Sequence, residues 1–277
     1  MMLLQAGQLG LSRRDSIWTD ELPPDMVAGT TMWIDFTDPD AVFDTVEFDG
    51  PPVTTNGASV ASVRDVLNHA RGLSAQGGGL PPTLTVGGTP SGQNYVTYAG
   101  TGAGDSVHYY YHAGGVTPPA STLVTTTTKL LIAAVRLDRS LSYTGAAYDA
   151  PAIVGDNNSY FGMHVSDDGG VLTLRAYNWS SGAAEAVQTL PRNEWSVVTM
   201  SHQSGQLRCR VNGGSWATTP SGTTSDMGNL YTRSRGATLP TQMDMAHLVA
   251  VNTAQTDAAI SAVEHWIAND LGIAPWW

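Results

Sequence analysis

The sequence predicts an all-β protein built from antiparallel strands and closed by one C-terminal amphipathic helix. Thirty glycines and fifteen prolines in 277 residues favour short strands joined by frequent turns. Several segments alternate apolar and polar side chains, which is the period of a half-buried strand. Residues 256–272 alone repeat apolar side chains at the three- and four-residue spacing of a long helix.

The first strand is predicted at residues 32–36, where Trp33 stands in an apolar run that ends at an Asp-Pro-Asp turn. Residues 1–28 show no clear period, and we expect an arm that gains order by packing on something else. A short helical turn is predicted at 65–72. Glycine and proline clusters then mark exposed loops, and they lack the lysine and spacing of a phosphate-binding loop.

A hairpin is predicted near the C-terminal third of the chain. Residues 207–211 alternate apolar and polar side chains, so one face can be buried while Arg208 and Arg210 stay in water. An Asn-Gly-Gly turn follows this strand, and the apolar run 195–200 supplies its partner. The alternation places Cys209 inward, as a small buried hydrophobe rather than a nucleophile.

The closing helix is predicted from its apolar stripe and from the residues at its ends. Thr256 or Asp257 can cap the first turn, and Gly272 follows the last, which gives a helix of roughly four turns. We expect it to pack across an edge or face of the sandwich, with Trp266 as a core anchor. The stripe consists of Ile260, Val263, Ile267 and Leu271.

Charge and cysteine content exclude several classes of function. The formal net charge is −11 and Lys129 is the only lysine, so the electrostatic footprint of a nucleic-acid or anionic-lipid partner is missing. The single cysteine excludes an intrachain disulfide and a thiolate metal cluster. No segment approaches the roughly 18 continuous apolar residues of a membrane helix.

Aromatic residues beside loop ends are the candidate ligand-binding residues. Tyr177, Asn178 and Trp179 precede a Ser-Ser-Gly segment, and Trp216 follows the Asn-Gly-Gly turn. An exposed aromatic face beside an amide can stack on a sugar ring, so we expect a stacking platform here. The alternative is that each tryptophan fixes a loop onto the core or lies in a subunit interface.

Two oxygen-rich clusters flank the predicted strand at 160–165. Asp156 and Asn158 come before it, and Asp167 and Asp168 come after it, so a hairpin could bring them to one calcium ion. Aspartate and asparagine are also the usual turn residues, which is the simpler interpretation. No other cofactor is expected.

Catalytic patterns are missing from the sequence. Asp35, Asp38 and Asp40 resemble a row of carboxylates, but a proline interrupts them and a turn cluster is the preferred interpretation. No Gly-x-Ser-x-Gly elbow is present. His108 and His112 have zinc-ligand spacing only on a helix, whereas their surroundings favour a strand. We therefore expect a non-enzymatic protein, with a polysaccharide hydrolase as the alternative.

The order of several short motifs resembles that of concanavalin A-like, laminin-G-like jelly-roll domains carried by tailed-phage virion proteins and secreted bacterial proteins. The resemblance spans about residues 30 to 273. The motifs are Met32-Trp33-Ile34-Asp35-Phe36-Thr37-Asp38, Pro82-Thr83-Leu84, the strand with Trp195, Val211-Asn212-Gly213, the apolar strand 245–252 and Thr256-Asp257-Ala258-Ala259. Ala259 departs from the glutamate that is usual in this family.

The resemblance implies a jelly-roll sandwich at 29–273, between an anchoring arm at 1–28 and a tail at 274–277. It also implies a structural virion protein, such as a decoration, fibre or tail-associated protein, that is assembled in the bacterial cytoplasm and exposed on the particle. We expect adhesion to host surface glycans, contacts with other virion proteins through the arm and tail, and homo-oligomers. A purely structural capsid or tail component is the alternative.

Overall fold

The computed structural model confirms an all-β fold of antiparallel strands with a C-terminal helix. It describes residues 21–46, 48, 50–76, 81–99, 108–113, 130–137, 152–156, 161–168, 170–178, 184–222, 230–231 and 242–274. The strands are β1 (Thr30–Asp35), β2 (Val42–Phe43), β3 (Ser62–Arg64), β4 (Arg71–Gln76), β5 (Thr83–Thr85), β6 (Tyr95–Ala99), β7 (His108–Ala113), β8 (Leu130–Arg136), β9 (Ala152–Asp156), β10 (Phe161–Asp168), β11 (Val171–Asn178), β12 (Ala184–Thr189), β13 (Ser196–Gln203), β14 (Gln206–Val211), β15 (Ala217–Pro220), β16 (Leu230–Tyr231) and β17 (Gln242–Val251). The helix is α1 (Asp257–Leu271).

One large sheet organises the molecule. Its strand order is β15-β14-β13-β8-β17-β6-β5, and β1 pairs with β17 off this path. A five-stranded sheet has the order β12-β11-β10-β9-β16, and a four-stranded sheet has the order β2-β3-β4-β7. The predicted hairpin is confirmed, because β13 and β14 pair in register from Val198 opposite Val211 to Gln203 opposite Gln206.

The large sheet has a hydrophobic cluster on each face. On one face, alternate residues such as Leu131, Val198 and Cys209 pack with apolar side chains of the two smaller sheets. On the other face, residues such as Ile132 and Val197 pack with the apolar stripe of α1. Alternation along each strand supplies both clusters, since successive side chains point to opposite faces.

The helix begins and ends where the sequence predicts. The hydroxyl of Thr256 accepts a hydrogen bond from the backbone N–H of Ala259, and Gly272 adopts a φ of 68° at the C-terminal cap. Trp266 is partly buried against the helix-side cluster, with its ring edge-on to Trp33 at a centroid distance of 5.3 Å. Among the described residues, no helix is both long and apolar enough to cross a bilayer.

Two local predictions are wrong. Residues 65–72 form no helix, because Asp65 Oδ1 accepts hydrogen bonds from the backbone N–H groups of Trp33 and Leu67 and so fixes a bend. Arg210 does not stay in water: it is 5% exposed and pairs with Glu264 of α1. The prediction for Cys209 is confirmed, since its side chain is buried and burial raises the pKa of its thiol to about 12.

The segment before β1 packs on the rest of the chain. Residues Pro24–Met26 form a 3₁₀ turn, and the side chain of Val27 joins the helix-side cluster. The backbone N–H of Leu22 donates to the carbonyl of Ala262 in α1. Residues 1–20 of the predicted arm and residues 275–277 of the predicted tail lie outside the described residues.

Candidate functional site

A groove of about 640 Å³ opens at one end of the large sheet, beside the C-terminus of α1. The antiparallel order brings the end of β8, the start of β13 and the end of β14 to the same sheet end. The turn between β5 and β6 and the cap of α1 form the opposite wall. The lining residues are Gly88, Thr89, Pro90, Arg136, Asn193, Glu194, Trp195, Asn212, Gly272, Ile273 and Ala274.

Arg136 at the end of β8 is the charged anchor of this groove. Its Nε and Nη2 atoms donate to Asp244 Oδ2 at 2.8 and 2.6 Å, and Nη2 also donates to the Tyr95 hydroxyl at 2.9 Å. Asp244 Oδ1 in turn accepts from the Thr97 hydroxyl at 2.7 Å. These bonds connect β8, β17 and β6 in one polar row and hold the guanidinium in one orientation.

Burial and pairing act in opposite directions on this guanidinium. Burial lowers the pKa of Arg136, but the hydrogen bonds and negative charge of Asp244, together with Tyr95, outweigh it and raise the pKa above its usual value. Arg136 therefore stays charged at every pH at which the protein is folded. Its side chain is 29% exposed and lines the groove, and Nη1 forms no bond with the residues that the structure describes.

Two aromatic rings pack against the guanidinium of Arg136. The Tyr95 and Trp195 rings meet edge-on at a centroid distance of 5.2 Å, and Arg136 Cζ lies 5.3 and 5.5 Å from their respective centroids. Trp195 is only 7% exposed, so it forms the floor of the groove and not a stacking platform. Its indole N–H is buried and has no hydrogen-bond partner within the described part of the chain.

The wall opposite Arg136 is formed by close backbone packing. Ser91 donates its backbone N–H to the carbonyl of Leu271 at 3.0 Å and its hydroxyl to the carbonyl of Asp270 at 2.6 Å. A Cβ on Gly272 would lie 2.8 Å from the Ser91 nitrogen. Only glycine therefore allows the helix cap to approach the turn this closely.

Several groove side chains keep hydrogen-bonding capacity. Asn193 and Glu194 are exposed, and neither side chain bonds to any of the described residues. The Oδ1 atom of Asn212 accepts from the backbone N–H of Val197 at 2.8 Å, which leaves its Nδ2 as a donor. With Arg136 Nη1, the groove therefore offers donors and acceptors side by side.

The predicted stacking platform is wrong for two of its residues. Tyr177 and Asn178 belong to β11 and are 1% and 0% exposed. Tyr177 packs on the ring of His164 at a centroid distance of 3.9 Å, and Asn178 Nδ2 donates to the Ser221 hydroxyl at 2.8 Å. Trp179 lies outside the described residues. Both side chains are buried on β11, so they are structural.

Trp216 is half-buried beside β15. The guanidinium carbons of Arg208 and Arg210 each lie 4.3 Å from its ring centroid, and the ring also packs on the helix-side cluster. This arrangement matches the alternative that the tryptophan fixes a loop onto the core. The structure does not bring Trp216 into the groove described above.

The predicted calcium ligands are only partly described. Asp167 Oδ1 accepts from the backbone N–H of Gly170 at 2.8 Å, and Oδ2 pairs with Arg192 at 2.5 Å. Asp156 and Asp168 are placed in β9 and β10, and Asn158 lies outside the described residues. Within the described ranges, no three histidine, cysteine, aspartate or glutamate side chains form a group able to hold a metal.

The sequence did not predict the groove. Its residues come from five separate segments, and no motif joins them. One signal was present: Asn193 and Glu194 stand directly before Trp195 at the start of a buried strand. Loops positioned by a rigid sheet often carry binding residues.

Comparisons with known proteins bear on the fold. No protein-family model matches the chain, and no curated protein sequence matches it. A mutant of Trypanosoma rangeli sialidase displaying trans-sialidase activity is 12% identical with a TM-score of 0.53, over 88% of this chain and 33% of that chain. The binding domain of botulinum neurotoxin serotype D is 6% identical with a TM-score of 0.52, over 86% and 50%.

A third solved structure gives the same result. The receptor binding domain of botulinum neurotoxin C/D mosaic serotype is 8% identical with a TM-score of 0.51, over 86% of this chain and 51% of that chain. This chain thus spans about a third of the sialidase and half of the toxin domains. At these identities the similarity shows a shared all-β fold.

The expectation of a non-enzymatic protein is corrected by these comparisons. A sialidase is among the structures with this fold, beside two toxin binding domains. The fold therefore occurs in enzymes as well as in binding domains, and it cannot exclude catalysis. The absence of a glycosidase motif from the sequence was not sufficient to exclude catalysis.

Proposed function

We propose that this domain binds glycans on a host cell surface, and that the groove beside Arg136 is the binding site. The observation that carries the proposal is the hydrogen-bonding set of the groove. Arg136 Nη1 and Asn212 Nδ2 are donors, Glu194 is an acceptor, and the Asn193 amide is both. Sugar hydroxyls donate and accept at once, so neighbouring groups of both kinds suit them.

The shape of the groove supports the same ligand class. A volume of about 640 Å³ suits a short oligosaccharide, since ligand sites commonly measure roughly 300 to 1,000 Å³. Pro90 and Ile273 add apolar surface beside the polar groups. Asp244 and Tyr95 hold Arg136, and the backbone of Val197 holds Asn212, so these two donors keep their positions without a ligand.

We also propose a setting on a tailed-phage virion, as a decoration, fibre or tail-associated protein exposed on the particle. The motif order from Trp33 to Thr256 supports this setting. Residues 1–20 and the tail 274–277 would contact other virion proteins, with the chain assembled as a homo-oligomer. The described residues 21–27 pack on α1 of the same chain, so the anchoring role is assigned to the residues before them.

The test measures binding of the full chain to a glycan array and to host cells. Asn193→Gly removes an amide from the groove, and glycine accepts the φ of 59° found at this position. Combined with Glu194→Ala, it removes two exposed side chains with little effect on packing. We expect binding to fall by about tenfold or more, since two hydrogen bonds are each worth about 1 kcal/mol.

Asp44→Asn is the matched control. It removes an exposed carboxylate that follows β2 and takes no part in the groove. Unchanged binding in the control and weakened binding in the double variant would support the proposal. A folded chain that binds no glycan would contradict it and would favour a purely structural component. Binding that survives in the double variant would place the site elsewhere.

A further inference from the structure

The positive charge of Arg136 is already compensated inside the protein. Asp244 lies 2.6 Å from its Nη2 atom, and the side chain of this aspartate is only 8% exposed. A buried carboxylate so close to the guanidinium cancels most of its field in the groove. Arg136 therefore acts there as an oriented hydrogen-bond donor rather than as a free cation.

Glu194 adds an uncompensated negative charge to the same groove. Its side chain is exposed and forms no ion pair with any other residue that the structure describes. Arg136, Asp244 and Glu194 together carry a formal charge of −1. The whole chain carries −11, so the more distant field is also negative.

A carboxylated sugar would enter this field with a charge of the same sign. Arg136 Nη1 could donate to it, but the charges of Arg136 and Asp244 offset each other, so the charge of Glu194 would repel it. The amides of Asn193 and Asn212 supply no positive charge against that repulsion. A cationic ligand would be attracted by this field, but Arg136 Nη1 and Asn212 Nδ2 would set donors against its own donors. Neutral hydroxyl groups meet neither obstacle.

We infer that the groove selects neutral sugars over carboxylated ones, and that Glu194 is the residue responsible for this selection. The inference rests on the proposed glycan-binding function and names its ligand class. Glu194 accepts hydrogen bonds from sugar hydroxyls and rejects a carboxylate that occupies the same position. Selection by repulsion needs no additional contact to the preferred ligand.

The experiment compares matched pairs of oligosaccharides on the full chain. Each pair has the same length and linkage, and one member carries a C6 carboxylate in place of the C6 hydroxymethyl group. Galacto-oligosaccharides with α-1,4 linkages and oligogalacturonides form one pair, and the gluco- and manno-configured pairs complete the panel. We expect at least one neutral member to bind about tenfold or more tightly than its carboxylated partner at low salt.

Glu194→Gln tests the role assigned to the carboxylate. Glutamine keeps the length and an acceptor oxygen, so neutral sugars should still bind, while the preference for the neutral member should shrink by about fivefold or more. Asp44→Asn changes the net charge equally from outside the groove and should leave the preference unchanged. This control separates a local effect from the field of the whole chain.

The two proposals fail in different ways. Tighter binding of the carboxylated members would overturn the neutral selection while the glycan-binding function stands. An unchanged preference in Glu194→Gln would overturn the role of Glu194. Failure of every oligosaccharide in the panel to bind, together with a negative glycan array, would overturn the proposed function itself.

Discussion

Arg210 of β14 and Glu264 of α1 form a two-bond ion pair between the helix and the large sheet. Arg210 Nε donates to Glu264 Oε1 at 2.9 Å, and Nη2 donates to Oε2 at 2.7 Å. The Thr199 hydroxyl donates to the same carboxylate, and the side chain of Glu264 is 0% exposed. Every described bond of this carboxylate therefore comes from the sheet, and the pair fixes how the helix lies on it.

Glu264→Gln should lower the free energy of unfolding by about 3 kcal/mol, because it leaves the charge of Arg210 buried without a counter-charge. Urea denaturation at neutral pH measures this change. The Arg208–Asp257 pair offers the comparison, since Asp257 is 55% exposed and Asp257→Asn should cost less than about 1 kcal/mol. Equal losses of unfolding free energy in Glu264→Gln and Asp257→Asn would show that burial does not determine the contribution of these ion pairs to stability.

The buried His164 should make the fold sensitive to acid. Burial, with a smaller effect of Arg175, lowers the pKa of His164 from 6.5 to about 3. Below pH 6.5 the unfolded chain binds a proton that the folded chain does not, so stability falls as the pH falls towards 3. The slope from this group is about 1.4 kcal/mol per pH unit.

His164→Gln should remove that slope, whatever constant effect it has on stability. As the pH decreases from 6 to 4, the unfolding free energy of the variant should therefore rise relative to that of the parent protein by about 1.4 kcal/mol per pH unit. The other buried histidines are present in both proteins, and their contributions cancel in the comparison. Curves that stay parallel over this range would show that His164 gains its proton without unfolding.

The hydroxyl of Thr256 should contribute measurably to the helix. It accepts from the backbone N–H of Ala259 at 3.2 Å, which satisfies one of the donors left open at the first turn. Thr256→Ala should lower the free energy of unfolding by about 1 kcal/mol, and Thr256→Ser should restore most of it. Thermal unfolding followed by circular dichroism measures both. A serine variant as unstable as the alanine variant would argue against the cap.

Asp244→Asn should change the ligand preference more than it changes stability. The carboxylate positions Arg136 and compensates its charge, and Arg136 is 29% exposed, so water can solvate it after the change. We expect a loss of about 1 kcal/mol in stability, weaker binding of neutral sugars and a smaller preference over carboxylated sugars. Isothermal titration with the matched pairs measures this. A stability loss with no change in preference would show a purely structural role.

Sequence patterns predicted those parts of the fold that depend on local spacing. The helix follows from its apolar period together with Thr256 and Gly272, and the β13–β14 hairpin follows from alternation. A helix was wrongly predicted at the bend of Asp65. The bend is fixed by a bond between Asp65 and Trp33, which is 32 residues away. No local pattern contains that contact.

The site depended on tertiary structure to a greater degree. Tyr177 and Asn178 looked exposed because a Ser-Ser-Gly segment follows shortly after them, yet β11 continues through both and buries them. Nothing in the apolar strand around Arg136 indicates a binding role for this residue, because its partner Asp244 is 108 residues away. Residues that meet only across strands cannot be paired from their spacing in the sequence.

The contacts of Ser91 have a consequence for the order of events during synthesis. Its hydroxyl bonds to the carbonyl of Asp270, 179 positions later in the chain, and these two segments form one wall of the groove. Until the segment that contains Asp270 has left the ribosome, this wall of the groove cannot form. If the groove is the glycan-binding site proposed above, a chain truncated before residue 257 should be inert towards glycans from the moment it is made.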